Sequence, residues 1–268
     1  MLNGRELAGY IKERQAKQVR GLRQAHGIIP KLAILQTKDD PVINTYVRLK
    51  RQYGSDILIE VDSYVLDQGE IANKLQNLNE DKSVHGIIVQ LPLSDTAKTD
   101  EIVNLVVPEK DVDALGKNAV LDPATPTAIL WLLNGYNIAL EGKKILIIGR
   151  GKLVGSPLEK ILKSSGHDVE VVGREVKNLK EKTLQADVII TATGSPAILF
   201  PDMIKQNAVV VDAGVASESG KTVGDLHETV YERQDLTLTP QKGGVGPLTV
   251  CALFENVIIA ARNSLEDA

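Results

Sequence analysis

Tyr46, Lys50, Gln90 and Asp113 are the side chains of this sequence whose types and spacing best suit chemistry. Tyr46 and Lys50 lie four apart in Asn44-Thr-Tyr-Val-Arg-Leu-Lys50, which puts both on one face of a helix. Gln90 ends the apolar run Gly86-Ile-Ile-Val-Gln90 and leads into Leu91-Pro92-Leu93. Asp113 closes Lys110-Asp-Val-Asp113. A lysine, an amide and a carboxylate beside a nucleotide fold suit redox chemistry on a small polar heterocycle. The nucleotide signal is Ile145-Leu-Ile-Ile-Gly149-Arg-Gly151-Lys-Leu-Val-Gly155, an apolar strand running into a glycine turn that opens a helix. The first glycine permits the tight turn, and the second lets the backbone approach a pyrophosphate that the helix N-terminus stabilises. Its spacing is one residue longer than the common dinucleotide pattern, so an ordinary strand–helix turn remains the competing reading.

The elements that must position these residues alternate between strand and helix. Residues 4–25 read as a surface helix, 31–36 as a buried strand, and 43–53 as the helix carrying Tyr46 and Lys50. A strand at 57–61, a helix at 69–80 and a strand at 86–90 follow. The stretch 108–125 is broken by Pro108, Gly116 and Pro123 and marks a domain boundary. Thr125-Pro126 supplies an N-cap and a proline at the first helical position. A second α/β series then runs through strands at 145–149, 169–173, 187–191, 208–212 and 236–239, with a helix at 154–165 and a final apolar helix at about 248–262 that packs back on the first domain. The expected fold is α/β: two α/β domains with mostly parallel sheets, the second Rossmann-like, and a cleft between them. Residues 1–119 plus 249–268 form the first domain and 120–248 the second.

In the second series, Thr193-Gly194-Ser-Pro196, Asp212-Ala-Gly214 and Gly243-Gly244-Val-Gly246 each follow a strand, so with the Gly149 turn they line one crevice at the strands' C-terminal ends. After the strand at 169–173 stand Arg174, suited to a 2′-phosphate, and Glu175, suited to a ribose 2′-hydroxyl. The expected cofactor is NADP, with NAD possible.

Composition narrows the remaining classes. With 31 basic and 35 acidic residues the net charge is −4, which argues against nucleic acid as the main partner. The single cysteine, Cys251, excludes an intrachain disulfide and a cysteine metal site, and its apolar surroundings read as a buried structural thiol. The first residues lack a signal-peptide apolar region and no apolar run is expected to reach membrane-spanning length, so a cytoplasmic protein without a membrane partner is expected. His26, His85, His167 and His227 lack metal-like spacing, and no metal is expected.

From Asn3-Gly4 to the final helix the sequence resembles the bifunctional methylenetetrahydrofolate dehydrogenase/methenyltetrahydrofolate cyclohydrolase family. The motifs that carry the resemblance are Tyr46-Val-x-x-Lys50, Gly86-Ile-Ile-Val-Gln-Leu-Pro-Leu93, Lys110-Asp-Val-Asp113, Gly149-Arg-x-x-x-Val-Gly-x-Pro157, Val223-Gly-Asp225 and Gly243-Gly-Val-Gly-Pro-x-Thr249, in the family's order. The resemblance implies oxidation of 5,10-methylenetetrahydrofolate with NAD(P), hydrolysis of the methenyl product to 10-formyltetrahydrofolate, and a homodimer. It places Lys50, Gln90, Asp113 and Tyr46 at the folate as catalytic residues, with Leu91, Pro92, Gly243, Gly244, Pro247 and Thr249 as further substrate contacts. It places Gly149, Arg150, Gly151, Val154 and Gly155 at the cofactor, together with Arg174, Thr193, Gly194, Gly214 and Val215. A desolvated lysine, neutral beside a forming cation, serves proton transfer; Gln90 orients it, Asp113 accepts from a pterin N–H edge, and Tyr46 offers a flat face. Each also has an ordinary use: surface lysine, strand-end amide, turn cap, core aromatic.

The sequence departs from the family pattern at Ile43-Asn44 (usually Ser-Gln), Ala114 (usually Gly), Pro123-Ala-Thr-Pro126 (usually Pro-Cys-Thr-Pro), Gly151 (usually Ser) and Gln241-Lys242 (usually Val-Pro). These positions keep two alternatives in view: a folate- or nucleotide-binding protein with lost or reduced turnover, and a two-domain NAD(P) dehydrogenase of another small acid. The latter needs a carboxylate-binding pair near Lys50, whereas Arg48 and Arg51 face away from it on a helix.

Overall fold

The computed structural model describes residues 1–218 and 221–265, so positions 219–220 and 266–268 of the expected domains lie outside the described residues. In chain order the helices and strands are α1 (Gly4–His26), β1 (Lys31–Gln36), α2 (Pro41–Asp56), β2 (Glu60–Val65), α3 (Ile71–Glu80), β3 (Gly86–Val89), α4 (Thr99–Val103), α5 (Ala124–Gly135), β4 (Lys144–Ile148), α6 (Gly155–Ser164), β5 (Asp168–Val172), α7 (Leu179–Gln185), β6 (Val188–Thr191), β7 (Val209–Asp212), β8 (Ala216–Glu218), β9 (Lys221–Val223), β10 (Thr237–Leu238) and α8 (Val245–Asn263). Among the described residues the strands form a three-stranded sheet ordered β2-β1-β3, a five-stranded sheet ordered β10-β7-β6-β4-β5, and the hairpin β8-β9. Both larger sheets are parallel throughout, and the hairpin is antiparallel.

The chain divides into two compact units. One comprises Gly9–Ala124 and Val250–Ala268 and contains the three-stranded sheet; the other comprises Met1–Ala8 and Thr125–Thr249 and contains the five-stranded sheet. The N-terminal eight residues therefore sit with the second α/β series, not with the first as the sequence suggested. Leu2 N donates to Leu238 O at 2.8 Å beside β10, and Arg5 N donates to Gly243 O at 2.9 Å. Gly4 is required there, because a Cβ on it would lie 1.9 Å from Gly244 O. The division places residues 120–124 with the first series and Thr249 with the second.

In the three-stranded unit, β1 is buried at Leu32, Ala33, Ile34 and Leu35, and the continuous apolar run reflects cover on both faces. Ala33, Leu35, Ile87 and Val89 pack against Ile71, Leu75 and Leu78 of α3. The C-terminal helix α8 buries Cys251, Phe254, Val257 and Ile258. Gln15 of α1, fully buried, donates to Cys251 O at 2.8 Å and accepts from Tyr53 Oη at 2.7 Å. By length and composition α8 is apolar enough to cross a membrane, contrary to the expectation that no run reaches that length, but most of it is buried within the protein.

Two other expectations shift. The Ile57-Leu-Ile-Glu-Val61 run is not a strand at its start. Ile57 caps α2, Leu58 takes φ +66°, and β2 begins at Glu60. Ile57 and Ile59 are buried, so their apolarity fills the core beneath a turn. Thr125 is not an N-cap, since α5 already begins at Ala124.

In the five-stranded unit, Leu146, Ile148, Ile189 and Val210 share a core with Leu199, Leu226, Val230 and Leu238. Because its strands are parallel, the turns after β4, β6, β7 and β10 emerge at one edge of the sheet.

Candidate active site

In the three-stranded unit, α2 is fixed at its N-terminus before it presents any functional side chain. Asp40 accepts from the backbone N–H groups of Val42 and Ile43 at 2.8 and 3.1 Å, and Pro41 occupies the first turn. Asn44 accepts from the buried Gln36 at 2.8 Å and donates to Asp39 at 2.7 Å, which ties α2 to the end of β1. Two turns into this anchored helix stand Tyr46 and Lys50. Tyr46 is 43% exposed, so it is not a core aromatic.

Lys50 Nζ donates to Gln90 Oε1 at 2.8 Å. Gln90 is held in turn. Its backbone N–H donates to Leu35 O at 2.8 Å, prolonging the β3 ladder, and its Nε2 donates to Leu91 O at 3.0 Å. The Leu91–Pro92 peptide that follows is cis. Both Lys50 and Gln90 are half-buried.

Asp113 lies within electrostatic range of Lys50, with no direct ion pair between them among the described residues. Burial pushes the Lys50 ammonium below the ordinary lysine range, and the Asp113 charge opposes that shift. Burial pushes the Asp113 carboxyl up, and Lys50 opposes it. The rest of its motif is structural. Lys110 Nζ donates to the carbonyls of Leu78, Asn79 and Asp81 at 3.0, 2.8 and 2.8 Å, closing the C-terminus of α3. Asp111 is buried and accepts from Gly116 N at 2.8 Å. Val112 packs so closely on Gly86 that a Cβ there would meet it at 2.8 Å, and Val112 O accepts from the buried Asn256 at 2.9 Å. Ala114, where the family usually has glycine, takes φ +54°.

The other sequence-derived candidates lie in the five-stranded unit. Gly149 has φ +118°, and a Cβ on it would meet Ala192 O at 2.4 Å. A Cβ on Gly155 would lie 1.8 Å from Gly149 O, so this glycine brings α6 against the end of β4 despite the longer spacing. Gly151 meets nothing within 4 Å and is exposed. Val154 precedes α6 without a side-chain cap; in the first turn Ser156 N donates to Gly151 O at 3.1 Å and Pro157 carries no N–H. Arg150 donates to Val171 O at 2.7 Å and lies 3.7 Å from Glu175. Arg174 is exposed, and Val215 is 59% exposed.

Thr193 and Ser195 turn their N–H groups onto the buried Asp225 carboxylate at 2.8 and 3.1 Å, with Gly194 between them at φ +64°. Gly214 N donates to Asp212 at 2.9 Å. Gly243, at φ +87°, and Gly244 close against Arg5 and Gly4, and Thr249 hydroxyl donates to Val245 O at 3.4 Å; with Pro247 these belong to this unit rather than to that of Lys50. Reading residue by residue did not single out the support that Asp225, Lys110 and Gln36 give. The Val-Gly-Asp and Lys-Asp-Val-Asp motifs were the available signal for the first two.

Comparison with known proteins agrees with both halves of this arrangement. The family model described as tetrahydrofolate dehydrogenase/cyclohydrolase, catalytic domain, matches residues 2–113, and the corresponding NAD(P)-binding domain matches 123–265. The bifunctional protein FolD of Campylobacter jejuni (strain RM1221) is 37% identical over 280 residues, covering 99% of each chain. A crystal structure of the bifunctional FolD methylenetetrahydrofolate dehydrogenase/cyclohydrolase from Campylobacter jejuni superposes with a TM-score of 0.92 at 38% identity, covering 98% of both chains. The Trypanosoma brucei methylenetetrahydrofolate dehydrogenase-cyclohydrolase, solved with NADP and an inhibitor, gives 0.91 at 27% identity, covering 98% of this chain and 97% of that one. With matching models over both units and a relative of this identity over its full length, the chain belongs to the tetrahydrofolate dehydrogenase/cyclohydrolase family.

Proposed function

We propose that this chain oxidises 5,10-methylenetetrahydrofolate to 5,10-methenyltetrahydrofolate with NADP and hydrolyses the product to 10-formyltetrahydrofolate. The observation that carries the reading is the hydrogen bond of 2.8 Å from Lys50 Nζ to Gln90 Oε1, made by an amine that burial drives towards its neutral form. In the first reaction the methylene carbon gives up a hydride and becomes the carbon of an amidinium cation. No proton moves in that step, and a neutral Lys50 avoids placing an ammonium beside the new charge. In the second reaction water adds to that carbon and loses one proton; the hydroxyl so formed gives up its own proton as the bond to one ring nitrogen breaks and that nitrogen takes a proton up. Lys50 takes the proton that the water loses: donation of one N–H to Gln90 holds the amine while its lone pair stays free. Asp113 accepts from the N–H edge of the pterin, and the exposed ring of Tyr46 offers a stacking face. Leu91 and Pro92 complete this side.

NADP, when bound, supplies the hydride acceptor. The five-stranded unit suits it: Gly149 and Gly155 permit the close backbone approach that sets the end of β4 against α6, and the positive dipole end of α6 carries no side-chain cap. Arg150, Gly151 and Val154 surround that turn, and Thr193, Gly194, Gly214 and Val215 belong to the neighbouring loops. Arg174 and Arg150 favour a 2′-phosphate, as does the NADP bound by the Trypanosoma brucei relative. The same reading takes the protein as a cytoplasmic homodimer acting on a small-molecule folate, with no nucleic-acid or membrane partner; its net charge of −4 supports the exclusion of nucleic acid.

The test supplies 5,10-methylenetetrahydrofolate with NADP or NAD and follows nicotinamide reduction. Reduction is expected, faster with NADP. Folded protein that reduces neither nucleotide would instead be a binding protein without turnover.

A further inference from the structure

Two carboxylates meet behind the loops at the C-terminal edge of the five-stranded sheet. Asp225 is fully buried; its Oδ2 accepts from Thr193 N at 2.8 Å and its Oδ1 from Ser195 N at 3.1 Å. Asp212 Oδ1 accepts from Gly214 N at 2.9 Å, Thr191 Oγ1 at 3.0 Å and Asp225 N at 3.1 Å, and its Oδ2 accepts from Leu226 N at 3.2 Å. Each carboxylate sits in a notch left by a glycine. A Cβ on Gly214 would lie 2.0 Å from Asp225 Oδ1, and one on Gly224 would lie 2.1 Å from Asp212 Oδ2. Burial raises the Asp225 pKa, and the neighbouring Asp212 charge adds to the rise. Donated N–H groups offset the cost of that buried charge, and those of Thr193 and Ser195 come from a single turn.

We propose that Asp225 is a positioning residue: it presets the Thr193–Gly194–Ser195 turn and thereby sets nucleotide affinity, without touching folate or taking part in hydrolysis. The proposal rests on the nucleotide site proposed above and adds what shapes it. With the amides of Thr193 and Ser195 drawn inward, Gly194, exposed and at φ +64°, becomes the outward apex of the loop. The Asp225 backbone carbonyl accepts from Ile198 N at 2.8 Å, so both ends of this residue brace the same segment.

The bifunctional reaction provides an internal control, because hydrolysis of the methenyl compound uses no nucleotide. Asp225→Asn keeps the shape but replaces one acceptor oxygen by an NH2 group that faces an N–H donor. The expected result is an NADP dissociation constant and KM raised by roughly tenfold or more, the scale of one lost hydrogen bond to a charged group, with methenyl hydrolysis within roughly twofold of the parent. Equal NADP affinity in parent and variant, or parallel loss of both activities, overturns the role of Asp225. Failure of the parent to bind NADP overturns the nucleotide reading itself. Amide hydrogen exchange on the unmodified protein gives a second measurement that holds even if the variant does not fold. The Thr193 amide, bonded to Asp225 Oδ2, should exchange at least roughly tenfold more slowly than in an unstructured peptide, whereas Ser195 N also donates to Thr193 Oγ1 at 3.0 Å and is not the reporter. Exchange at peptide rates overturns the proposal.

Discussion

Replacing Lys50 by methionine separates the two reactions by their proton accounting. Hydride departure from the methylene group moves no proton, whereas hydrolysis of the methenyl cation must release one. Methionine has a similar length and no basic nitrogen, so Lys50→Met removes the acceptor and the 2.8 Å bond to Gln90 while keeping most of the packing. A positioned general base contributes typically about 10²–10⁴-fold, or roughly 3–5 kcal/mol of barrier. The stability cost is smaller. One hydrogen bond worth about 1 kcal/mol is lost, but the desolvation of a half-buried amine is relieved, so the net change stays within about 1 kcal/mol. In its protonated form Lys50 opposes the upward shift of Asp113, so its removal moves that carboxyl further up. The assay follows decay of the methenyl chromophore and, separately, nicotinamide reduction from the methylene substrate, with circular dichroism melting to verify the fold. Hydrolysis should fall by at least roughly 10²-fold and by much more than dehydrogenation. Folded Lys50→Met that hydrolyses the methenyl compound within roughly threefold of the parent refutes the proton-transfer role.

Asp113 holds the Lys50 midpoint up, so Asp113→Asn should shift the rising alkaline limb of the hydrolytic kcat to lower pH, with a higher KM for folate; a limb that stays in place or moves to higher pH contradicts the coupling. Ala114 sits at φ +54°, where a side chain costs about 1–2 kcal/mol. Allowing for the extra freedom of glycine in the unfolded chain, Ala114→Gly should stabilise by about 0.5–1 kcal/mol and raise the melting midpoint by roughly 2 °C. An unchanged or lower midpoint argues against strain at this turn. Gly155→Ala would drive a Cβ to 1.8 Å from Gly149 O, so it should weaken NADP binding and lower the melting midpoint, while Gly151→Ser meets nothing within 4 Å and should leave the midpoint unchanged. Similar thermal behaviour of the two variants contradicts the close helix–strand approach.

The sequence carried the alternation of strand and helix, because buried parallel strands leave apolar runs such as Lys31–Gln36 and Lys144–Ile148. The turns at Gly149 and Gly155 were legible for a related reason, since close backbone approach admits only glycine. Ile57 and Ile59 misled because burial beneath a turn looks the same as burial in a short strand. The attachment of residues 1–8 to the five-stranded unit left no periodic signal; it rests on pairing of Leu2 with Leu238 and a notch at Gly4. At the candidate site, type and spacing indicated Tyr46 and Lys50. They did not show that Lys110 is spent on three carbonyls while Asp113, three residues on, shares an electrostatic environment with Lys50. That division of labour within one four-residue motif depends on contacts with α3 and β3, far away in the chain.

The most direct test of the chemistry is the titration of the Lys50 side chain itself, by NMR of protein labelled in its lysine ε positions. The resonance is assigned by its loss in Lys50→Met. A midpoint below the ordinary lysine range is expected from burial beside Gln90 and only partial compensation by Asp113. A midpoint within or above that range would contradict the neutral amine on which the hydrolytic step depends.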